Sequence, residues 1–95
     1  MSASADYKVV LYGTRMCPYC VAARRLLEGM AIEYEDIPVD GDRELRQHME
    51  AISGRYTVPQ IWIGETHVGG YTELQQLASV GRLEAMLGDA SGRPA

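Results

Sequence analysis

The chain has 95 residues, of which 46% are hydrophobic and 23% charged, with 9 basic and 13 acidic side chains and a formal charge of −4. This length and composition predict one small soluble globular domain and exclude both a second domain and wholesale disorder. Because the balance is acidic and the basic residues are scattered, we expect no nucleic-acid partner. No apolar run approaches the ~20 residues of a membrane span, so we expect no membrane partner either.

The two ends of the chain differ in composition from its middle. Residues 1–6 contain neither a basic residue nor an apolar stretch, so they match neither a signal peptide nor a transit peptide, and we expect a cytoplasmic protein. Residues 88–95 also look like a frayed end. We therefore predict a flexible N-terminus at 1–6, one folded domain at 7–87 and a flexible tail at 88–95.

The first predicted elements are a strand and a helix. A nearly continuous apolar, β-branched run at residues 8–12 predicts a central strand that is covered on both faces. Apolar residues four apart then predict a helix that begins at Pro18 and is ended by Gly29. Arg24 and Glu28 are predicted to pair with each other on its outer face.

A second strand and helix follow. Residues 32–37 alternate in the manner of a strand, and Asp42 is predicted to cap a helix that stops at Gly54. Two strands joined by a helix in this way require a right-handed parallel crossover. The first half of the domain is therefore predicted to be a βαβα unit.

The second half reads as a hairpin followed by two helices. Residues 60–63 and 66–69 predict antiparallel strands joined by a two-residue turn, and residues 72–75, Thr-Glu-Leu-Gln, predict a capping box that opens a helix. A last short helix is predicted at about residues 82–87. The order β-α-β-α-β-β-α-α predicts an α/β fold with a four-stranded mixed sheet and helices on both faces.

The two cysteines of the chain, Cys17 and Cys20, stand in one Cys-Pro-Tyr-Cys motif. Cys17 is predicted to be the N-cap of the first helix, with Pro18 at the first helical position. The unpaired N–H groups of Tyr19 and Cys20 can then point back at the Cys17 sulfur, and the positive helix end favours a thiolate. Cys17 is therefore the predicted nucleophile. Cα atoms three residues apart at a helix start lie about 5 to 6 Å apart, which a disulfide tolerates, so Cys20 is the predicted resolving thiol.

The helix dipole alone does not supply the free energy that is needed to lower the pKa of Cys17 this far. Lowering a thiol pKa from about 8.5 by two to three units takes roughly 3 to 4 kcal/mol. The helix dipole supplies at most ~2 kcal/mol. We expect the remainder from hydrogen bonds to the sulfur, from the Cys20 thiol and from Arg15, two residues upstream of Cys17.

A metal centre is the main alternative use of the two cysteines. Zinc usually needs four Cys or His ligands, and the chain offers only His48 and His67 besides the motif, so we predict no metal site within one chain. An iron–sulfur cluster that bridges two subunits through Cys17 and external thiols stays open. His67 is otherwise predicted to be structural, and His48 to be exposed.

Three motifs occur in one order along the chain: Tyr-Gly-Thr-Arg-Met-Cys-Pro-Tyr-Cys at residues 12–20, Thr-Val-Pro-Gln at residues 57–60, and Gly-Gly at residues 69–70. Together they resemble the glutaredoxins, most of all the short dithiol kind of bacteria, over about residues 8–87. The resemblance implies a thioredoxin-like fold and glutathione-dependent reduction of protein–glutathione mixed disulfides and protein disulfides. A cluster or metal carrier that uses Cys17 with glutathione, or a thioredoxin-type reductant, is the alternative function.

The resemblance also implies which molecules the protein meets. Glutathione is the implied reductant, with no tightly bound cofactor, and glutathionylated or disulfide-containing proteins are the implied partners. We expect the protein to be a monomer. None of these expectations follows from composition or periodicity.

A glutathione site around the cysteines is implied as well. Tyr19 should border the substrate groove, and Thr57, Val58 and Pro59 should line it. By itself, a proline before a strand predicts only that the neighbouring backbone is free of the sheet. If the Val58–Pro59 bond is cis, as the resemblance implies, the backbone of Val58 can pair with the cysteine unit of glutathione as a short added strand.

The remaining implied contacts come from two other segments. Gly70 allows a close backbone approach, and the N–H groups of Tyr71 and Thr72 at a helix start suit the γ-glutamyl carboxylate. Two glycines before a helix are equally often a plain turn. Arg55 is the candidate for the glycyl carboxylate.

Two positions depart from the family pattern. The family usually carries a basic residue three positions before the first cysteine, where this chain has Thr14, with Arg15 displaced by one. The family also commonly has Asp two positions after the paired glycines, where this chain has Thr72. A carboxylate for the glutathione amino group is then absent from position 72, and Glu73 is the candidate to replace it.

Overall fold

The computed structural model describes residues 9–90. Its elements are β1 (Val9–Gly13), α1 (Pro18–Gly29), β2 (Glu35–Pro38), α2 (Arg43–Ser53), β3 (Gln60–Ile63), β4 (Thr66–Gly69), α3 (Tyr71–Ser79) and α4 (Arg82–Ala90). This is the predicted order. The predicted flexible N-terminus, and residues 91–95 of the predicted tail, lie outside the described residues, whereas residues 88–90 belong to α4.

The strands form one mixed sheet in the order β2-β1-β3-β4. β1 pairs in parallel with β2, with Val10 opposite Glu35. It pairs antiparallel with β3, with Val9 opposite Ile63, and β3 and β4 form the predicted antiparallel hairpin. The mixed four-stranded sheet is confirmed, and β1 lies inside it as the continuous apolar pattern predicts.

Alternate strand residues point to opposite faces of this sheet. On one face, the buried core is formed by Val9, Leu11, Ala23, Leu27, Ile61, Ile63, Leu74 and Leu83. On the other face, the Tyr12 ring lies 5.4 Å from the ring of Trp62 and 6.3 Å from that of His48, an exposed residue of α2. The two faces are therefore covered by different helices, and the prediction of helices on both faces is confirmed.

The helix α2 matches its sequence signals closely. Asp42 Oδ1 accepts a hydrogen bond from the Leu45 backbone N–H at 3.0 Å, and Gly54 ends the helix in the left-handed region at φ 71°. Both end residues are the predicted ones.

Within residues 9–90, no helix combines the length and apolar character that a membrane span requires.

The end of α1 and the start of β2 differ from the prediction. Gly29 is still helical, and the left-handed residue is Ala31, at φ 58°. The Ala31 N–H bonds to the Glu28 carbonyl at 3.0 Å and the Ile32 N–H to the Leu27 carbonyl at 2.9 Å, which is the Schellman pattern of a helix end. Because this turn occupies residues 30–32, β2 begins at residue 35 and not at 32.

The start of α3 is the second difference. The predicted cap at Thr72 is wrong, since the N-cap is Gly70 and the helix begins at Tyr71. Glu73 explains the shift, because its Oε1 accepts a hydrogen bond from the Gly70 backbone N–H at 2.7 Å. A glutamate at the third helical position that bonds back to the N-cap amide sets the cap three residues before itself.

Candidate active site

Cys17 lies where the sequence predicts it, at the N-cap of α1. Its backbone is extended, at φ −80° and ψ 122°, and Pro18 occupies the first turn. The Cys17 carbonyl accepts the first helical hydrogen bond from Val21 N–H at 3.0 Å. The side chain is partly exposed and is a free thiol. Its sulfur therefore stands at the positive end of a 12-residue helix.

The environment of Cys17 favours its ionised form. Burial raises the pKa of this thiol. The nearby backbone N–H and thiol of Cys20, the backbone N–H of Tyr19 and the charge of Arg24 lower it, although the Cys17 sulfur accepts no capping hydrogen bond. Together these effects outweigh that of burial, so the pKa of Cys17 lies below its ordinary value of 9.0. This is the behaviour expected of a thiol at a helix start.

Cys20 is held in the opposite state. Its side chain is fully buried, and burial together with the neighbouring Cys17 raises its pKa to about 11. The Thr14 backbone N–H donates to the Cys20 sulfur at 3.4 Å and lowers the pKa in part. The pair thus consists of an accessible sulfur that ionises early and a buried one that keeps its proton. Such a pair is suited to thiol–disulfide exchange.

The loop before β3 faces the Cys17 sulfur. The Val58–Pro59 bond is cis, as the resemblance implies. Cys17 Sγ lies 3.8 Å from the Val58 carbonyl oxygen, which accepts from the thiol. Pro59 is buried, and Val58 is half-buried. The backbone of Val58 therefore stands directly beside the sulfur.

A buried glutamine that sequence reasoning missed supports this loop. Gln60 is fully buried, and its Nε2 donates to the carbonyl of Thr57 at 3.1 Å and to its hydroxyl at 3.3 Å. Gln60 Oε1 can only accept, so the 2.7 Å contact with His67 Nε2 means that His67 donates. His67 also stacks on Trp62 at 4.6 Å, which agrees with its predicted structural role. The signal in the sequence was a polar residue at the start of an otherwise apolar strand.

The start of α3 forms the third side of the site. A Cβ on Gly70 would stand 3.3 Å from the Pro59 carbonyl oxygen, so this glycine lets α3 approach the cis-proline loop. Tyr71 and Thr72 occupy the first helical turn, whose N–H groups have no acceptor within the helix. The Tyr71 ring lies 6.2 Å from that of Tyr19, which is 63% exposed, so both rings border the same edge of the site.

Glu73 and Arg55 add two opposite charges beside the same helix start. The Arg55 Nη1 atom lies 3.6 Å from Glu73 Oε1, the oxygen that also accepts from Gly70. The Gly70 backbone hydrogen bond and the Arg55 charge lower the pKa of Glu73, so its carboxylate is ionised near neutral pH. Arg55 therefore stands next to the predicted position of the γ-glutamyl carboxylate, not at the opposite end.

The arginine with the strongest influence on the pKa of Cys17 is not the predicted one. Arg15 is exposed, and its backbone N–H faces Asp40 Oδ2 at 3.4 Å. The charged side chain that lowers the pKa of Cys17 most is Arg24. The predicted Arg24–Glu28 pair is also wrong, because Arg24 Nε donates to Asp36 Oδ2 on strand β2 at 3.0 Å. Glu28 instead accepts from the hydroxyl of Tyr34 at 2.7 Å.

A resident metal would need a cluster of ligands. In the part of the chain that the structure describes, no group of three or more His, Cys, Asp or Glu side chains could hold one.

A sheet covered on both faces and an N-capping cysteine paired with a buried one define a thioredoxin-like thiol–disulfide oxidoreductase. A family model for glutaredoxin matches residues 9–68. The glutaredoxin of Pseudomonas aeruginosa is 48% identical over 79 residues, which are 83% of this chain and 94% of that protein. The chain belongs to the glutaredoxin family.

Two solved glutaredoxin structures share the fold. The solution structure of the glutaredoxin from Brucella melitensis is 39% identical, with a TM-score of 0.77 over 93% of this chain and 94% of that one. The crystal structure of a buckwheat glutaredoxin–glutathione complex has a TM-score of 0.81 over 93% of this chain and 82% of that one, at 23% identity. The second likeness concerns the fold alone.

Proposed function

We propose that the protein reduces protein–glutathione mixed disulfides and protein disulfides with glutathione as the reductant, using Cys17 as the nucleophile and Cys20 as the resolving thiol. The observation that carries the proposal is the unequal state of the two sulfurs. Cys17 is partly exposed with a lowered pKa, whereas Cys20 is fully buried with a pKa of about 11. Since the thiolate is the attacking species, the first attack belongs to Cys17.

Removal of glutathione from a protein requires Cys17 alone. The Cys17 thiolate attacks the glutathione sulfur of the mixed disulfide, and the released protein thiolate takes up a proton. A second glutathione, as its thiolate, then attacks the glutathione sulfur bound to Cys17. This step releases oxidised glutathione and restores the Cys17 thiolate, so one free glutathione is consumed for each protein thiol released, and the second half of the oxidised glutathione comes from the mixed disulfide.

Reduction of a protein disulfide uses both cysteines. The Cys17 thiolate attacks one sulfur of the target disulfide, and the second target sulfur leaves as a thiolate that takes up a proton. Cys20 then loses its proton and attacks the Cys17 sulfur, which forms the Cys17–Cys20 disulfide and releases the first target sulfur as a thiol. Two glutathione molecules reduce the internal disulfide in two exchanges and leave as oxidised glutathione.

The backbone of Val58 supports a glutathione site beside the sulfur. Its carbonyl lies 3.8 Å from Cys17 Sγ, so a peptide unit paired with this backbone would bring its own cysteine next to the nucleophile. Thr57 is held by Gln60, and Pro59 is buried, which keeps the loop in place. The buckwheat relative was solved as a glutathione complex, which agrees with this assignment.

The start of α3 is the proposed place of the γ-glutamyl end. The N–H groups of Tyr71 and Thr72, after Gly70, would hold its carboxylate with help from the Arg55 cation. The two contacts of Glu73 both use Oε1, so its Oε2 is proposed to meet the γ-glutamyl ammonium.

Two exposed side chains complete the proposed site. Tyr19 is 63% exposed beside Cys17 and would border the bound tripeptide. Arg15, exposed two residues before Cys17, would meet the glycyl carboxylate.

A coupled turnover assay tests the function. We expect a glutathionylated peptide to be turned over with glutathione and glutathione reductase, and not with thioredoxin reductase alone. Cys20→Ser should keep this activity and lose reduction of a protein disulfide, whereas Cys17→Ser should lose both. Turnover by Cys17→Ser, or a requirement for thioredoxin reductase, would reject the assignment.

A further inference from the structure

Arg24 lies on the same side of α1 as Cys20, and its side chain is mostly buried. It follows Cys20 by one helical turn in α1, and its side chain is only 16% exposed. Its Nε donates to Asp36 Oδ2 on β2 at 3.0 Å, which fixes the direction of the guanidinium. An arginine on the outer face of a helix would instead extend into water, as the exposed neighbour Arg25 does.

Gly13 brings this guanidinium close to the buried sulfur. The point where a Gly13 Cβ would stand lies 2.9 Å from Cys20 Sγ and 3.3 Å from Arg24 Nη2. The sulfur and the guanidinium nitrogen are therefore within about 6 Å of each other, with no side chain at position 13 between them. At this range and in a partly buried place, a positive charge stabilises an anionic sulfur far more than a surface charge does.

We propose that Arg24, oriented by Asp36, is a positioning residue for the cysteine pair: it keeps one fixed positive charge beside the two sulfurs and stabilises negative charge first on Cys17 and then, during resolution, on Cys20. The inference rests on the proposed function only for the resolution step. It gives Arg24 the role that sequence reasoning assigned to Arg15.

Other charged side chains lie on the elements next to the pair, and each is exposed or has a partner outside the pair. They are Arg15 before α1, Arg25 on α1, Glu35 on β2, Asp40 after β2, Arg55 before β3 and Glu73 on α3. Asp40 accepts from the Arg15 backbone, and Arg55 pairs with Glu73. Among charged side chains, Arg24 has the largest influence on Cys17.

A pH titration of the reduced protein tests the proposal. It needs neither glutathione nor a substrate, so its result does not depend on the outcome of the coupled assay. The pH dependence of ultraviolet thiolate absorbance and of the iodoacetamide alkylation rate gives the Cys17 pKa. Arg24→Gln should raise it by about 1 unit and slow alkylation below the wild-type pKa about tenfold. Arg24→Lys should restore most of the difference. Arg25→Gln, which makes the same charge change on the same helix, should leave the titration unchanged.

A second variant covers the case in which Arg24→Gln leaves Asp36 unpaired and fails to fold. The double variant Arg24→Gln with Asp36→Asn removes both charges, so the net charge of the protein is unchanged. The Cys17 pKa should still rise, but by less than in Arg24→Gln, because loss of the Asp36 negative charge offsets part of the loss of the Arg24 positive charge. A wild-type titration in folded Arg24→Gln and in the double variant, or an equal shift in Arg25→Gln, would overturn the proposal.

Discussion

Gly13, the last residue of β1, is the position where one added methyl group should disturb the cysteine pair most directly. A Cβ there would stand 2.9 Å from Cys20 Sγ, 3.1 Å from Leu11 Cδ2 and 3.3 Å from Arg24 Nη2. Non-bonded heavy atoms normally pack about 3.5 to 4.0 Å apart. Gly13→Ala therefore forces the buried sulfur or its neighbours to move.

Two opposing effects set the size of the change. Alanine restricts the unfolded chain more than glycine does, which favours the variant by about 0.4 to 1 kcal/mol. Forcing an extra carbon into a packed region costs about 1 to 3 kcal/mol. Because the sulfur at 2.9 Å is fully buried, we expect the steric cost to win, with a net loss of about 1 kcal/mol. For a domain of this size the loss lowers Tm by about 4 to 8 °C.

Thermal unfolding of the reduced proteins, followed by circular dichroism, measures this change. Gly29→Ala is the matched control, because Gly29 lies in the last turn of α1 and a Cβ there meets nothing within 4 Å. That control should gain about 0.5 to 1 kcal/mol. If Gly13→Ala melted at or above the wild-type temperature while the control gained stability, the packing argument would be refuted.

Three further predictions concern Cys20, Asp42 and Thr72. The pKa of Cys20 is about 11 in the fold against an ordinary 9.0, so between these values the folded state binds more protons than the unfolded one. Stability should therefore fall as pH rises through this window, by up to about 3 kcal/mol relative to Cys20→Ser, in denaturant unfolding at each pH. Asp42→Ala removes the cap on Leu45 N–H and should cost about 1 kcal/mol in urea unfolding, whereas Asp42→Ser should keep most of it. Thr72→Asp supplies the carboxylate that the family usually has. It should lower the KM for glutathione up to about fivefold, with kcat nearly unchanged. An unchanged KM would count against the proposed γ-glutamyl position.

Local signals predicted the parts of the structure that local chemistry determines. Cys17 and Asp42 were readable as helix caps because a cap is satisfied by groups within four residues of itself. Gly54 was readable as a helix end for the same reason, since a left-handed residue is needed directly after the last turn. The lowered pKa of Cys17 was predicted from the same local geometry, whereas the raised pKa of Cys20 comes mainly from its burial in the fold.

Contacts between distant segments decided the side-chain partners that were mispredicted, whereas the end of α1 and the cap of α3 were missed although their contacts are local. Arg24 has Glu28 at helical spacing, but the parallel strand β2 places Asp36 where the guanidinium can reach it at 3.0 Å. Gln60 looked like a strand residue of no special role, and only the fold shows that it joins the Thr57 loop to His67. No pattern within α1 or β3 contains this information.

The departure at position 14 shows how one site tolerates a changed residue. The family usually has a basic side chain there, whereas Thr14 contributes a backbone N–H, which donates to the Cys20 sulfur at 3.4 Å. A backbone donor is independent of residue type, so this contact survives any substitution that keeps the loop. The positive charge is then required from elsewhere, and Arg24 approaches the pair from the helix side, past the bare Cα of Gly13. The reactivity of Cys17 accordingly depends on how α1, β1 and β2 pack together, not on the residue type at position 14.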